Sequence, residues 1–200
     1  MTSRIPRRRV YHVKHGRPYH EENSRRGVNA AVDAGAKWID LDCRITADEV
    51  LVITHWPRPV NKDGFKDPLD RLNRMRTVES MTWAEVQRLR TDDAYRIHAA
   101  EGLVQYALDE GLNVELELKT SAIKTRHLKQ LHAALGDDVD RVIVKTLGQL
   151  PPKPWNRLRR AHKAGFTTLI LGGGRRRRVP AVPRSSQPFI DYYRSTVKWV

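Results

Sequence analysis

Two aspartates, Asp40 and Asp42, stand two residues apart in the run Trp38-Ile39-Asp40-Leu41-Asp42. On a strand that spacing points both carboxylates to one face, and such neighbours repel unless a cation or a shared proton relieves them. Glu115 and Glu117 repeat the spacing in Asn113-Val114-Glu115-Leu116-Glu117-Leu118-Lys119, where polar and apolar residues alternate with the strand period. Glu117 is the candidate third carboxylate of one cluster, although either glutamate can equally serve as the partner of a lysine. Three carboxylates and no thiolate suit a hard divalent ion, Mg²⁺ or Ca²⁺. For an isolated Asp-x-Asp, solvated charges at a strand end are the commoner reading. His55 directly follows the run Val50-Leu51-Val52-Ile53-Thr54, and a lone histidine is more often a structural hydrogen-bonding residue than a catalyst. His12, His15 and His20 cluster early in the chain, and not all of them can be catalytic. His98, His127, His132 and His162 fall in helix-like stretches and read as surface residues.

The elements that must carry these residues alternate along the chain. Val10–Lys14 reads as a strand, then Asn23-Ser24 opens a helix with Val28, Ala31 and Val32 on one face, closed by Gly35. Trp38–Asp42 and Val50–Thr54 read as strands, and the polar stretch Arg58–Arg76 as a long loop. Thr82-Trp83-Ala84-Glu85 has the form of a capping box ahead of a helix reaching Arg90. A helix over Leu103–Leu108 ends at Gly111, the strand Asn113–Lys119 follows, and Ser121 starts a helix to about Leu135. Val142–Val144 is a strand, Trp155–Ala164 a helix and Thr168–Leu171 a strand. This rhythm predicts an α/β fold, a TIM-type (β/α) barrel that is abbreviated or incomplete. Six strands are visible, seven if Thr196–Val200 adds one, and a full barrel usually takes about 250 residues against the 200 here. Active sites of such folds gather at the carboxyl ends of the strands, where His15, Asp42, His55 and Glu117 fall. Residues 1–172 form the expected barrel domain, and 173–200 a basic, proline-containing segment.

Composition narrows the function classes. Lys+Arg number 37 against 23 Asp+Glu, a net charge of +14, which favours anionic partners. Arg175, Arg176, Arg177 and Arg178 are the densest positive run, read either as a solvated tail or as a contact for nucleic acid or an anionic membrane. The tryptophans are not interleaved with it, so a stacking platform for single strands is unsupported. The single cysteine, Cys43, excludes an internal disulfide framework and a multi-thiolate zinc site. No apolar stretch approaches the roughly 18 residues of a membrane span. The basic N-terminus lacks the apolar segment of a signal peptide, so a cytoplasmic protein is expected.

Taken in order, these segments resemble the glycerophosphodiester phosphodiesterase family. That family's pattern runs H-R-G, E-N-T, G-A-x-x-I-E-x-D, T-x-D-G, a short strand ending in H-D, then E-x-K on a strand. The chain offers Glu22-Asn23-Ser24, Gly35-Ala36-Lys37-Trp38-Ile39-Asp40-Leu41-Asp42, Thr46-Ala47-Asp48-Glu49, Val50–His55 and Glu117-Leu118-Lys119. Met81–Leu89 is similar to the family's L-T-x-x-E-L segment. The resemblance implies a barrel with a divalent metal at its mouth, held by Asp40, Asp42 and Glu117. It implies that His55 is one catalytic histidine and that the other comes from the first strand, His15 or, as the alternate, His12. It further implies that Lys119 and Arg17 face the substrate phosphate and that Glu22 organises the site. Departures are specific: Asp40 stands for glutamate, Trp56 for the aspartate of H-D, and His15-Gly16-Arg17 for H-R-G in altered order. The implied reaction is metal-dependent hydrolysis of a small, glycerophosphodiester-like phosphodiester by histidine acid–base catalysis. A phospholipase D-like enzyme on the same fold, and a non-catalytic polyanion-binding protein with a degenerate barrel, are the alternatives.

Overall fold

Ser24 opens the first helix because its hydroxyl accepts the Gly27 amide at 3.2 Å, satisfying a donor that a helix start leaves unmatched. Helix α1 (Arg25–Asp33) buries Val28 and Ala31 and closes before Gly35, whose φ of +66° suits a residue without a Cβ. Val32, expected on the buried face, is 37% exposed. It lies one residue beyond Ala31 and is therefore turned about 100° around the axis. The computed structural model describes residues 23–62, 64–69, 75–148, 153–172 and 191–193. The expected strands Val10–Lys14 and Thr196–Val200, with Arg175–Arg178, lie outside the described residues.

The elements that follow are β1 (Trp38–Ile45), β2 (Leu51–Ile53), α2 (Pro59–Lys62), a 3₁₀ turn (Val78–Ser80), α3 (Trp83–Arg88), β3 (His98–Ala99) and α4 (Ala100–Asp109). Then come β4 (Asn113–Leu118), α5 (Thr125–Leu135), a 3₁₀ segment (Gly136–Arg141), β5 (Val142–Gly148), α6 (Lys153–Lys163), β6 (Thr167–Gly172) and β7 (Asp191–Tyr193). They form one sheet in the order β3-β2-β1-β4-β5-β6-β7. From β1 through β4, β5 and β6 to β7 every neighbour is parallel, and helices link β4 to β5 and β5 to β6. Among the described residues these strands make an incomplete TIM-type (β/α) barrel. Val50–Thr54 is not a further parallel strand of it. Thr46–Val50 turns the chain back, so β2 runs antiparallel to β1 and β3 antiparallel to β2.

Several features differ from the sequence expectation for local reasons. Thr82 and Glu85 form the predicted capping box, but α3 stops at Arg88 rather than Arg90, because Leu89 turns extended and Arg90 bridges to Lys66. Helix α5 starts at Thr125 rather than Ser121, since Thr120 Oγ1 takes the Ala122 amide into a turn first. The stretch Arg58–Arg76 is not all loop, for it contains α2 and buries Phe65 against Val78, Met81 and Leu89 in a small second core. Of the four histidines read as exposed, only His162 is; His98 lies half-buried in β3, His127 is buried, and His132 packs edge-on against Phe166 at 5.3 Å.

The main core lies between the sheet and the helices. Leu41, Cys43, Val114, Leu116 and Val144 face outward into it and meet side chains such as Leu103 and Leu128. Residues of opposite parity face the other way. Along β4 the residues from Val114 to Leu118 are all buried, so its alternation separates an apolar buried face from a charged buried face.

Candidate active site

Strands β1 and β4 run parallel with Asp40 opposite Glu115 and Asp42 opposite Glu117. In β5, Lys145 sits opposite Glu117. Strand parity therefore turns four carboxylates and one lysine to the face away from the helices. Asp40, Asp42 and Glu117 are buried, and each brings a carboxylate oxygen within 4.8 Å of the others. Glu117, the expected third carboxylate, reaches the aspartates because the register of two adjacent strands sets it opposite Asp42.

Asp42 is the centre of the network. Its Oδ2 accepts the Asn23 side-chain amide at 3.0 Å and lies 2.9 Å from His55 Nδ1, while its Oδ1 lies 2.9 Å from Lys119 Nζ. Asn23 closes the loop by accepting the Asp42 backbone amide at 2.8 Å. Burial opposes the Asp42 charge, but the His55 hydrogen bond and the Lys119 ammonium outweigh it and hold this carboxyl well below the usual range. An ionised carboxylate only accepts, so His55 Nδ1 carries the proton in this contact. The histidine is fixed from behind as well. Arg44 donates through Nε and Nη2 to the His55 carbonyl at 3.0 and 2.9 Å and through Nη1 to Glu79 at 2.9 Å. The Trp56 ring meets the imidazole edge-on at 4.7 Å, in the place where the resemblance expects an aspartate.

Two lysines enter the acidic cluster. Lys119 Nζ bridges Asp42 at 2.9 Å and Glu117 Oε1 at 2.8 Å. Burial would lower its pKa, but these two carboxylates raise it above the ordinary value. Glu117 itself is pushed up, chiefly by burial, with Lys119 offsetting part of the shift. Lys145 Nζ lies 2.6 Å from Asp40 Oδ2 and 3.2 Å from Glu115 Oε2, and the attraction of Asp40 and Glu115 more than overcomes its burial. Cys43 points into the apolar core, where burial pushes its thiol up to about 12 and leaves it an inert packing group.

Of the residues singled out in the sequence, Asp40, Asp42, Glu117, His55 and Lys119 meet at this one place. His12, His15, Arg17 and Glu22 lie outside the described residues. Asn23, Arg44 and Lys145 were missed. Asn23 had a signal in the Glu22-Asn23-Ser24 element, and Lys145 had one in its strand parity with Ile143. Arg44 had none, because its target is a backbone carbonyl.

A sheet of parallel strands with buried acids, lysines and a histidine at one end has the layout of a (β/α)-barrel hydrolase. The chain belongs to the glycerophosphoryl diester phosphodiesterase family, whose model matches residues 13–166. Its reaction class is accordingly hydrolysis of a phosphoric diester. Among solved structures, it is similar to a glycerophosphodiester phosphodiesterase from Agrobacterium tumefaciens, at 19% identity, TM-score 0.51, with 94% of this chain and 95% of that one covered. It is similar to the glycerophosphoryl diester phosphodiesterase domain of a Mycobacterium tuberculosis protein, at 17% identity, TM-score 0.59, and 82% and 60% coverage. A third likeness is to an Oleispira antarctica phosphodiesterase in complex with the product sn-glycerol-3-phosphate, at 14% identity, TM-score 0.54, and 82% and 83% coverage. At these identities the likeness is one of fold. No curated protein matches the chain. Among the described residues, no helix is long and apolar enough to cross a membrane.

Proposed function

We propose that this chain hydrolyses a small glycerophosphodiester, with a divalent ion held by Asp40, Asp42 and Glu117 and with His55 moving a proton. The convergence of the three carboxylates within 4.8 Å, with His55 bonded to one of them, carries the reading. The donor set fits a hard ion: all oxygen, no thiolate, buried. Counted over the ion pairs of the described residues, Asp40, Asp42, Glu115 and Glu117 face the ammonium groups of Lys119 and Lys145.

An ion held by Asp40, Asp42 and Glu117 would supply positive charge to the phosphoryl oxygens as negative charge gathers on them. Asp42 holds His55 with Nδ1 protonated, so Nε2 is the ring atom that takes the proton from the attacking oxygen. The ionised Asp42 then stabilises the resulting imidazolium. Lys119, on the strand end beside Asp42 and Glu117, supplies a positive charge to the phosphate. In this reading His15, or His12 as the alternate, gives a proton to the leaving alkoxide, Arg17 is assigned to the substrate phosphate and Glu22 to organising the site. Water supplies the attacking oxygen: its bond to phosphorus forms and the bond from phosphorus to the alcohol breaks, giving a phosphomonoester and a free alcohol.

The test is release of glycerol phosphate from glycerophosphocholine by the purified protein. Turnover in Mg²⁺ or Ca²⁺ that EDTA abolishes supports the reading. Turnover that persists in EDTA removes the ion from it, and polyanion binding without any turnover favours the non-catalytic alternative.

A further inference from the structure

Lys145 belongs to none of the family-like motifs, yet it is the most deeply placed charge in the cluster. Its side chain is 3% exposed, and the Asp40 and Glu115 carboxylates that it touches are each 4% exposed. It reaches diagonally across β4, from a register position opposite Glu117 to the Asp40–Glu115 pair. The contact commits one oxygen of Asp40, the residue that stands one methylene short of the glutamate expected there. Glu115 is not among the three carboxylates that converge on one point, and it touches this lysine at 3.2 Å.

From this geometry we infer that Lys145 is a fixed internal counter-ion that positions Asp40 and sets how tightly the cluster binds a divalent cation. The inference rests on the ion reading given above. The ammonium of Lys145 and an entering ion draw on the same negative charge, because both are attracted to Asp40. Glu115 works against Lys145, returning one negative charge to the same place. Lysine therefore weakens the ion's hold, glutamate strengthens it, and the pair leaves the site's net charge unaltered while bracing a short ligand. An ordinary buried salt bridge that only supports the fold has no such signed effect on the ion.

Calorimetric titration of the metal-free protein with Ca²⁺ and with Mg²⁺ tests this without any measurement of turnover. Removing one unit charge a few ångströms from a divalent ion changes affinity by roughly tenfold or more, even at the effective dielectric of a protein site. Lys145→Met should therefore bind the ion at least about tenfold more tightly than the wild type. Glu115→Gln should bind it more weakly, the double variant should return to near the wild-type affinity, and Lys145→Arg should stay close to it. If the wild type binds and Lys145→Met binds equally or more weakly, the inference is overturned while the ion reading stands. If the wild type binds no ion, both are overturned. Should Lys145→Met not fold, comparison of Glu115→Gln with the double variant decides: tighter binding by the double variant supports the inference, and equal or weaker binding overturns it.

Discussion

Replacing Asp42 by asparagine keeps the side-chain shape and removes one charge, and the consequence follows from what surrounds it. Three donors converge on this residue: Asn23 and His55 on Oδ2, and Lys119 on Oδ1. An amide offers one acceptor oxygen and one NH₂ group. Placed with NH₂ toward Lys119, it sets donor against donor beside an ammonium. Placed with NH₂ toward His55, it makes Nδ1 an acceptor and moves the ring proton to Nε2, the wrong tautomer for accepting one there. Either way the protein loses a buried ion contact, at a cost of about 3–5 kcal/mol. At about 2–4 °C per kcal/mol for a chain this size, the melting temperature should fall by roughly 6–20 °C. Below that temperature kcat on glycerophosphocholine should drop by roughly a thousandfold or more, the scale of a lost or misdirected proton acceptor. The assay pairs steady-state kinetics with thermal denaturation of the same preparation. A folded Asp42→Asn protein with kcat within about tenfold of wild type would show that the Asp42–His55 contact is not part of the chemistry.

The same carboxylate predicts a pH dependence. Its pKa is lowered by folding, so its stabilisation is complete above the unfolded value of about 3.9 and is lost as pH falls toward the folded value. Urea midpoints of wild type and Asp42→Asn should accordingly differ most near neutral pH and converge in acid; a constant gap would rule out this linkage. Glu117 has the opposite sign, since burial raises its pKa and its ionised form opposes folding above the unfolded value of about 4.3. Glu117→Gln should thus be more stable than the metal-free wild type at neutral pH and lose that advantage in acid, and lower stability at neutral pH would contradict the assignment. Glu49 holds φ +68° in the turn between β1 and β2, where the family pattern has glycine, so Glu49→Gly should raise the melting temperature despite losing its contact with Arg126. Thr82→Ala, which removes the capping box of α3, should lower stability by about 1 kcal/mol in equilibrium unfolding, and no change would mean the cap is redundant.

Much of the acidic site was legible because two simple periods govern it. The period of two puts Asp40 with Asp42 and Glu115 with Glu117; that Asp42 then meets Glu117 comes from the pairing of β1 with β4, which element order alone does not give because Val50–Thr54 reads as a strand between them. What sequence could not give was the layering. The alternation in Asn113–Lys119 looks like one wet and one dry face, yet both faces are buried, and only that burial turns Lys145 from a strand-end charge into an internal partner of Asp40. Val50–Thr54 has the composition of a parallel strand, but the tight turn at Thr46–Val50 returns it antiparallel. β3 has two residues, too few to show any period. Arg44 escaped notice because an arginine aimed at the His55 carbonyl leaves no mark in the spacing of titratable residues.

The central claim is that carboxylates from two adjacent strands share one hard cation. It is tested most directly by diffraction from crystals grown with Mn²⁺, using anomalous scattering to locate the ion. The account predicts a single strong peak in coordination contact with Asp40, Asp42 and Glu117, and loss of that peak in Asp40→Asn crystals. A map with no peak among these three residues, or with its peak elsewhere on the protein, would contradict it.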